Sequence, residues 1–186
     1  MTNIFILAAQ RSAIGSYGGS LKDTPPIDLA IPVAKDAIAK SGVPADAIQH
    51  AIYGHVIHTE PRDMYSPRCI SIGSGLAETA PAFQVNRLCG SGLQAIVSAT
   101  QLIQLGDCDT ALAGGVEVMS RGAYILEDAP QAPCPTKPSG PRCQPDGGCL
   151  CTMHIMPVGA VMLLPSRTPL QVHTPCAIWS TLRTPL

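Results

Sequence analysis

Charge is scarce in this chain of 186 residues: 13% are Asp, Glu, Lys or Arg, and the formal net charge is -1 at pH 7. Such a balance gives no electrostatic basis for binding nucleic acid or an anionic membrane surface. Long apolar runs are missing too, since no stretch approaches the roughly 20 consecutive residues that span a bilayer. The N-terminus has no basic segment leading to a cleavage site, so it does not read as a secretory leader. A soluble, cytoplasmic protein is expected, and its length fits one domain, because domains commonly run to about 100 to 150 residues. No C-x-x-C pair occurs among the eight cysteines. The chain is also too long for a small disulfide scaffold. Cys134, Cys143, Cys149, Cys151, His154, His173 and Cys176 match no common zinc-ligand spacing, so no metal is expected.

What is present divides sharply in two. Residues 1–128 hold 8 basic and 12 acidic residues, 7 of the 18 prolines and 3 of the 8 cysteines. Residues 129–186 hold 4 basic residues, one acid (Asp146), 11 prolines and 5 cysteines. The first part reads as an α/β domain. The second shows neither strand nor helix periodicity over any long window, and its prolines recur too often for a helix or a central strand. An irregular tail unable to bury a core is expected there. Its Cys, Trp and His are unlike a linker and resemble the readout of a shifted reading frame.

Within the first part, Ile4 to Ala9 is an apolar run of buried-strand type, followed by a glycine-rich turn from Gly15 to Gly19. Ile27, Ala30, Ile31, Ala34, Ala37 and Ile38 then recur at helical spacing, and Ser41-Gly42 supplies a C-cap. Pro32 should kink that helix or delay its start. Ala51 to Ile57 alternates as a strand, and Ala82 to Leu88 reads as another. From Gly90 to Gly106 no charge occurs while apolar residues lie nearly all round, which predicts a helix buried on most sides. Thr110 to Met119 is a further strand, whose Gly114-Gly115 marks a close approach of backbone or ligand. This order, β-α-β-loop-β-α-β, predicts a layered α/β fold with a mixed or parallel sheet and more than two layers.

Cys89 falls between the third strand and the apolar helix. There the unpaired N–H groups and the macrodipole favour a thiolate, which is a nucleophile. Gly90 and Gly92 leave the backbone open, so a substrate carbonyl can place its oxygen on main-chain N–H groups, including that of Cys89. Two other readings stand beside this one. Cys89 can be an inert buried thiol, and Gly90-Ser91-Gly92-Leu93-Gln94-Ala95 also fits the G-x-G-x-x-[GA] dinucleotide fingerprint. The fingerprint wants the first βα turn and an acid about 20 residues on at the end of the next strand; here the turn is the third, and Asp107 and Asp109 precede the strand. His55 and His58, three apart in a strand, should lie on opposite faces and cannot chelate one ion. Glu117, in an apolar strand, needs a partner if buried; a structural hydrogen bond near the Cys89 loop is expected.

Three stretches carry a family resemblance. Val85-Asn86-Arg87-Leu88-Cys89-Gly90-Ser91-Gly92-Leu93-Gln94-Ala95 resembles the acyl-cysteine motif of the thiolases. Arg11-Ser12-Ala13-Ile14-Gly15-Ser16-Tyr17-Gly18-Gly19-Ser20-Leu21 is similar to the family's R-T-P-x-G-x-F-G-G-x-L signature, with Ser12 and Ala13 in place of the usual pair. Ala113-Gly114-Gly115-Val116-Glu117-Val118-Met119-Ser120 resembles its A-G-G-x-E-x-M-S strand, and Gly54 to Tyr65 is most similar to the biosynthetic bacterial β-ketothiolases. The resemblance stops near Tyr124, continuing weakly to Asp128. It implies the N-terminal half of a thiolase-like layered fold, of βαβαβαββ topology, which pairs with a similar C-terminal half to make five layers.

The resemblance further implies acyl transfer between acyl-CoA thioesters through an acyl-cysteine on Cys89, with acyl-CoA as substrate, no separate cofactor, and a homo-oligomer. The family's G-H-P histidine, its C-x-G-G-G cysteine, its Asn-Glu-Ala-Phe loop and its H-M-G-x-T-A-E stretch do not occur in this sequence. The expectation is therefore a truncated family member, with its catalytic set incomplete and inactive as this isolated chain. Two rivals are a non-catalytic truncated paralogue that acts by subunit association and a β-ketoacyl synthase-type condensing protein.

Overall fold

The computed structural model describes residues 3–123 and 159–165. Eight principal elements follow in order: β1 (Ile4–Arg11), α1 (Pro26–Ser41), β2 (His50–Gly54), α2 (Ser66–Gly73), β3 (Ala82–Val85), α3 (Ser91–Leu105), β4 (Ala111–Gly115) and β5 (Gly159–Pro165). They form one mixed sheet in the order β1-β5-β4-β2-β3. Strands β2, β3 and β4 run parallel, while β5 is antiparallel to both β1 and β4.

The period-2 geometry of a strand sends alternate side chains to opposite faces, and both faces of this sheet are covered. Tyr53, Leu112 and Met162 pack on one side against Ile27, Ala30, Ala34 and Ile70 of α1 and α2. Ile52, Ala111, Ala113 and Leu163 pack on the other against Ala95, Ala99 and Ile103 of α3. The described residues thus form three layers, α1 and α2 on one face of the sheet and α3 on the other. Helix α1 buries Ile27, Ala30, Ala34, Ala37 and Ile38 of the residues its spacing selects, with Val33 buried and Ile31 only half-buried, and stops at Gly42, whose φ of 73° is the left-handed conformation that glycine adopts without strain. Pro32 neither delays nor ends α1: it sits on the exposed face, and Asp28, whose carbonyl it deprives of a donor, is an exposed residue too.

Four expectations need correction. Helix α2 occupies what reads as loop. Among the described residues strand β1 is an edge strand rather than a buried one, with Phe5 and Ile6 exposed. Helix α3 buries only the i, i+4 stripe Ser91, Ala95, Ala99 and Ile103; Leu93 and Leu105 are 68% and 77% exposed. The tail does contribute to the core at one place: β5 fills the slot between β1 and β4 and buries Ala160, Met162, Leu163 and Leu164. Only about five or six residues are needed for a strand. The run Gly159-Ala160-Val161-Met162-Leu163-Leu164 is uncharged and free of proline, which suffices despite the prolines around it. The rest of the tail lies outside the described residues.

Candidate active site

In a parallel sheet the C-terminal strand ends share one edge, where ligands commonly bind. Here that edge gathers three loops: the one after β2 begins at His55, the one after β3 carries Cys89, and the one after β4 carries Glu117.

The Cys89 loop is a tight turn from β3 into α3. Leu88 has φ 48°, the left-handed region that costs a residue with a Cβ on the order of 1 kcal/mol, and it is the one non-glycine residue with positive φ among those described. Hydrogen bonds pay for it locally. Leu88 N–H donates to Asn86 Oδ1 at 3.1 Å. Gly90 N–H and Ser91 N–H donate to the carbonyls of Arg87 and Leu88, each at 3.0 Å. The buried Ser91 hydroxyl accepts from Arg87 N–H at 2.8 Å and donates to the Leu88 carbonyl at 2.7 Å. Arg87 reaches forward to Gln94 Oε1 at 2.9 Å. The product of this bracing is an exposed Cys89 thiol at the foot of α3. No described side chain caps that helix; its first N–H, that of Ser91, is taken by the Leu88 carbonyl instead. Of the other described cysteines, Cys108 is buried and Cys69 is partly so. Burial, helped by the carboxylates of Asp107 and Asp109, pushes the Cys108 thiol up to about 11.

Beneath this turn the glycines of β2 and β4 matter. A Cβ on Gly54 would lie 2.5 Å from the Ser91 carbonyl carbon, and one on Gly115 would lie 3.3 Å from Gly92 Cα. The first turn of α3 therefore rests backbone to backbone on the sheet. Gly115 has the close approach predicted for the Gly114-Gly115 pair.

His55 and His58 are not placed on opposite faces of a strand. Strand β2 ends at Gly54, and in the loop beyond it the two rings stack with centroids 5.3 Å apart. His55 is fully buried, and its Nδ1 lies 2.8 Å from the carbonyl of Val116. A carbonyl only accepts, so Nδ1 carries the proton. Its Nε2 has no hydrogen-bond partner among the described residues and lies 3.7 Å from Asp63 Oδ2. Glu117 does find the partners its burial demands. They are the N–H groups of Val56 and Ile57, at 2.9 and 3.1 Å, rather than groups of the Cys89 loop. Asp63 Oδ2 in turn accepts from Thr59 N–H, Thr59 O–H and Glu60 N–H. Two buried carboxylates thus hold the loop over the sheet edge. Sequence reasoning passed over Asp63 and Ser91; the signal for Asp63 was its place three residues after Glu60 across Pro61, a capping-box spacing.

Among the described residues no group of three or more His, Cys, Asp or Glu is placed to hold a metal ion. The tail cysteines and histidines of the candidate zinc set lie outside the described residues. No described helix is long and apolar enough to cross a membrane.

Known proteins resemble this chain in sequence and fold. The family model for the thiolase N-terminal domain matches residues 4–138. The chain is 51% identical over 126 residues to the beta-ketothiolase BktB of Cupriavidus necator, covering 68% of this chain and 32% of that protein. It is 39% identical over 127 residues to the acetyl-CoA acetyltransferase of Escherichia coli, with the same coverage. Among solved structures, human mitochondrial 3-ketoacyl-CoA thiolase, also crystallised in complex with CoA, superposes with a TM-score of 0.68 at 32% identity over 73% of this chain and 34% of that one. The chain thus spans 32% of the length of these curated relatives.

Proposed function

The chain belongs to the thiolase family, and on that premise we propose that it is an acyltransferase in which Cys89 takes up the acyl group of an acyl-CoA thioester. The observation that carries this reading is the exposed thiol of Cys89 on a braced left-handed turn at the start of α3. Its thiolate attacks the thioester carbonyl. The C–S bond to Cys89 forms as the C–S bond to CoA breaks, and CoA leaves as a thiolate that takes up a proton. The main-chain N–H of Cys89 holds the oxygen while it is negative. The acyl group then passes to a second acyl-CoA carbanion or back to CoA. The CoA complex of the similar human enzyme supports a CoA thioester as the substrate. In this reading no further cofactor takes part, and the protein works in the cytoplasm.

The nucleophile is present, whereas the G-H-P histidine, the C-x-G-G-G cysteine and the Asn-Glu-Ala-Phe loop do not occur in the 186 residues. The reading is therefore of a chain that can be acylated but does not sustain turnover alone. Incubation with acetyl-CoA, digestion and mass spectrometry test the first half. An acetyl group on the Cys89 peptide, absent in Cys89→Ala, is expected. Label confined to Cys69, or none at all, would overturn the reading.

The exposed apolar side chains of α3, Leu93 and Leu105 above all, favour a second reading: a non-catalytic chain that associates with a thiolase subunit. Co-purification with an intact thiolase, unchanged by Cys89→Ala, would favour it.

A further inference from the structure

We propose that Ser91 is the positioning residue for the Cys89 nucleophile, an assignment that rests on the acyl-cysteine reading above. Its hydroxyl joins the two sides of the strained Leu88: it accepts from Arg87 N–H before that residue and donates to the Leu88 carbonyl after it. That carbonyl belongs to the same planar trans peptide as the N–H of Cys89, and in such a unit C=O and N–H point in opposite directions. Gripping the carbonyl from the buried side, with both the hydroxyl and the Ser91 N–H, turns the Cys89 N–H the other way. One side chain therefore fixes both the left-handed turn that presents the thiol and the direction of an oxyanion donor.

The clamp is itself immobile. Ser91 is 4% exposed, and its main chain lies so close to Gly54 that no Cβ fits between them. The position of the thiol is thereby referred to the end of β2 rather than to a mobile loop. Removing the hydroxyl leaves Arg87 N–H and one lone pair of the Leu88 carbonyl without partners and lets Leu88 relax toward an unstrained φ, which carries Cys89 away from the foot of α3.

The test is alkylation of the full chain by iodoacetamide at neutral pH, read by peptide mapping, with Cys69 of the same molecule as the reference. Ser91→Ala should slow Cys89 about tenfold, the scale of one buried hydrogen bond, with Cys69 unchanged. Ser91→Thr, which keeps a hydroxyl, should restore the rate to within about threefold. A second arm separates positioning from packing. Glycine holds the left-handed conformation without help, so the S91A penalty should shrink to about twofold in an L88G background. An S91A chain whose Cys89 reacts as fast as before, or a penalty unchanged by L88G, would overturn the assignment. If wild-type Cys89 reacts no faster than Cys69 yet S91A still slows it, the positioning stands and the acyl-cysteine reading falls.

Discussion

Gly54 and Ser91 meet main chain to main chain, with room for no side-chain carbon between them. The end of β2 thus sets the height at which α3 begins. Gly54→Ala must push the first turn of α3 off the sheet, and overpacking of this kind costs about 1 to 3 kcal/mol. Gly92, one residue on, has nothing within 4 Å of its missing Cβ, so Gly92→Ala should be neutral or stabilise α3 by up to about 1 kcal/mol through helix propensity. Urea midpoints of the two variants decide it. Equal effects would mean that the close approach does not exist.

Strand β5 occupies an interior slot, hydrogen-bonded to β1 on one side and β4 on the other. Met162 and Leu163 face opposite layers and are buried in both. Leu163→Ala should therefore cost about 2 to 5 kcal/mol, as other buried leucines do. Ending the chain after residue 158 should expose the edges of β1 and β4 together and abolish cooperative unfolding. Hydrogen exchange in β4 that stays as slow without residues 159–186 as with them would show that β5 does not pair.

Much of this was legible in the sequence, and the failures have physical causes. The elements that patterned clearly, α1 with its glycine cap and β4 with its run of small apolar residues, formed within a few residues of the expected bounds. Helix α2 has only eight residues, with Pro67 near its start and Gly73 at its end, too short for a 3.6-residue period to show. Helix α3 patterned as apolar on all sides, but a sequence does not say what supplies the neighbours, and only the sheet does so among the described residues. The strand expected around His55 and His58 stops earlier than its pattern suggests because no charge or proline marks the end of β2 at Gly54, and the close contact of Gly54 with Ser91 is tertiary. The strand-to-helix turn that carries Cys89 was legible because its neighbours are distinctive. Ser91 was not, because a serine in a first helical turn ordinarily only caps.

Asp63 holds its loop through one oxygen, Oδ2, which accepts from Thr59 N–H, Thr59 O–H and Glu60 N–H at 2.7, 2.9 and 3.1 Å. Asp63→Ala leaves these donors, on the half-buried Thr59 and Glu60, unpaired and should cost about 2 kcal/mol, while Asp63→Asn, still an acceptor, should cost about 1 kcal/mol. Chemical denaturation of both variants gives the comparison. A cost below about 0.5 kcal/mol for Asp63→Ala would show that water satisfies the loop equally well.

Cys108 gives the fold an alkaline limit. Burial raises its thiol from the ordinary 9.0 to about 11, so below pH 9 folded and unfolded chains both keep the proton and nothing is lost. Between those values the unfolded chain releases its proton first, and stability falls as pH rises. Urea midpoints measured across that window should decline in the wild type and decline less in Cys108→Ala. In the same samples Cys108 should be alkylated more slowly than the exposed Cys89 throughout. A Cys108→Ala chain with the wild-type decline would assign the alkaline loss elsewhere, Tyr53 being the next buried acid, with its phenol raised further by burial.

The chain by itself should not turn over acetoacetyl-CoA. A thiolase cycle needs the nucleophile deprotonated, the leaving CoA thiolate protonated and the oxyanion held, each worth about 10² to 10⁴ in rate. The described residues offer Cys89 at the N-terminus of α3, and the histidine and second cysteine that the family uses for the proton transfers are missing from the sequence. Such groups act as a unit, so losing two of them removes nearly all the acceleration rather than a part of it. A single acylation of Cys89 is compatible with this, because it needs only the first half of the cycle and can be slow. The expected record is therefore a slow, stoichiometric label on Cys89 with no continuous release of acetyl-CoA when free CoA is supplied. Continuous, Cys89-dependent turnover by monodisperse chain would mean that the missing acid and base are supplied from residues 124–158 or 166–186, or by a second chain. Repeating the assay across a range of protein concentrations would tell these apart, since only the second source makes specific activity rise with concentration.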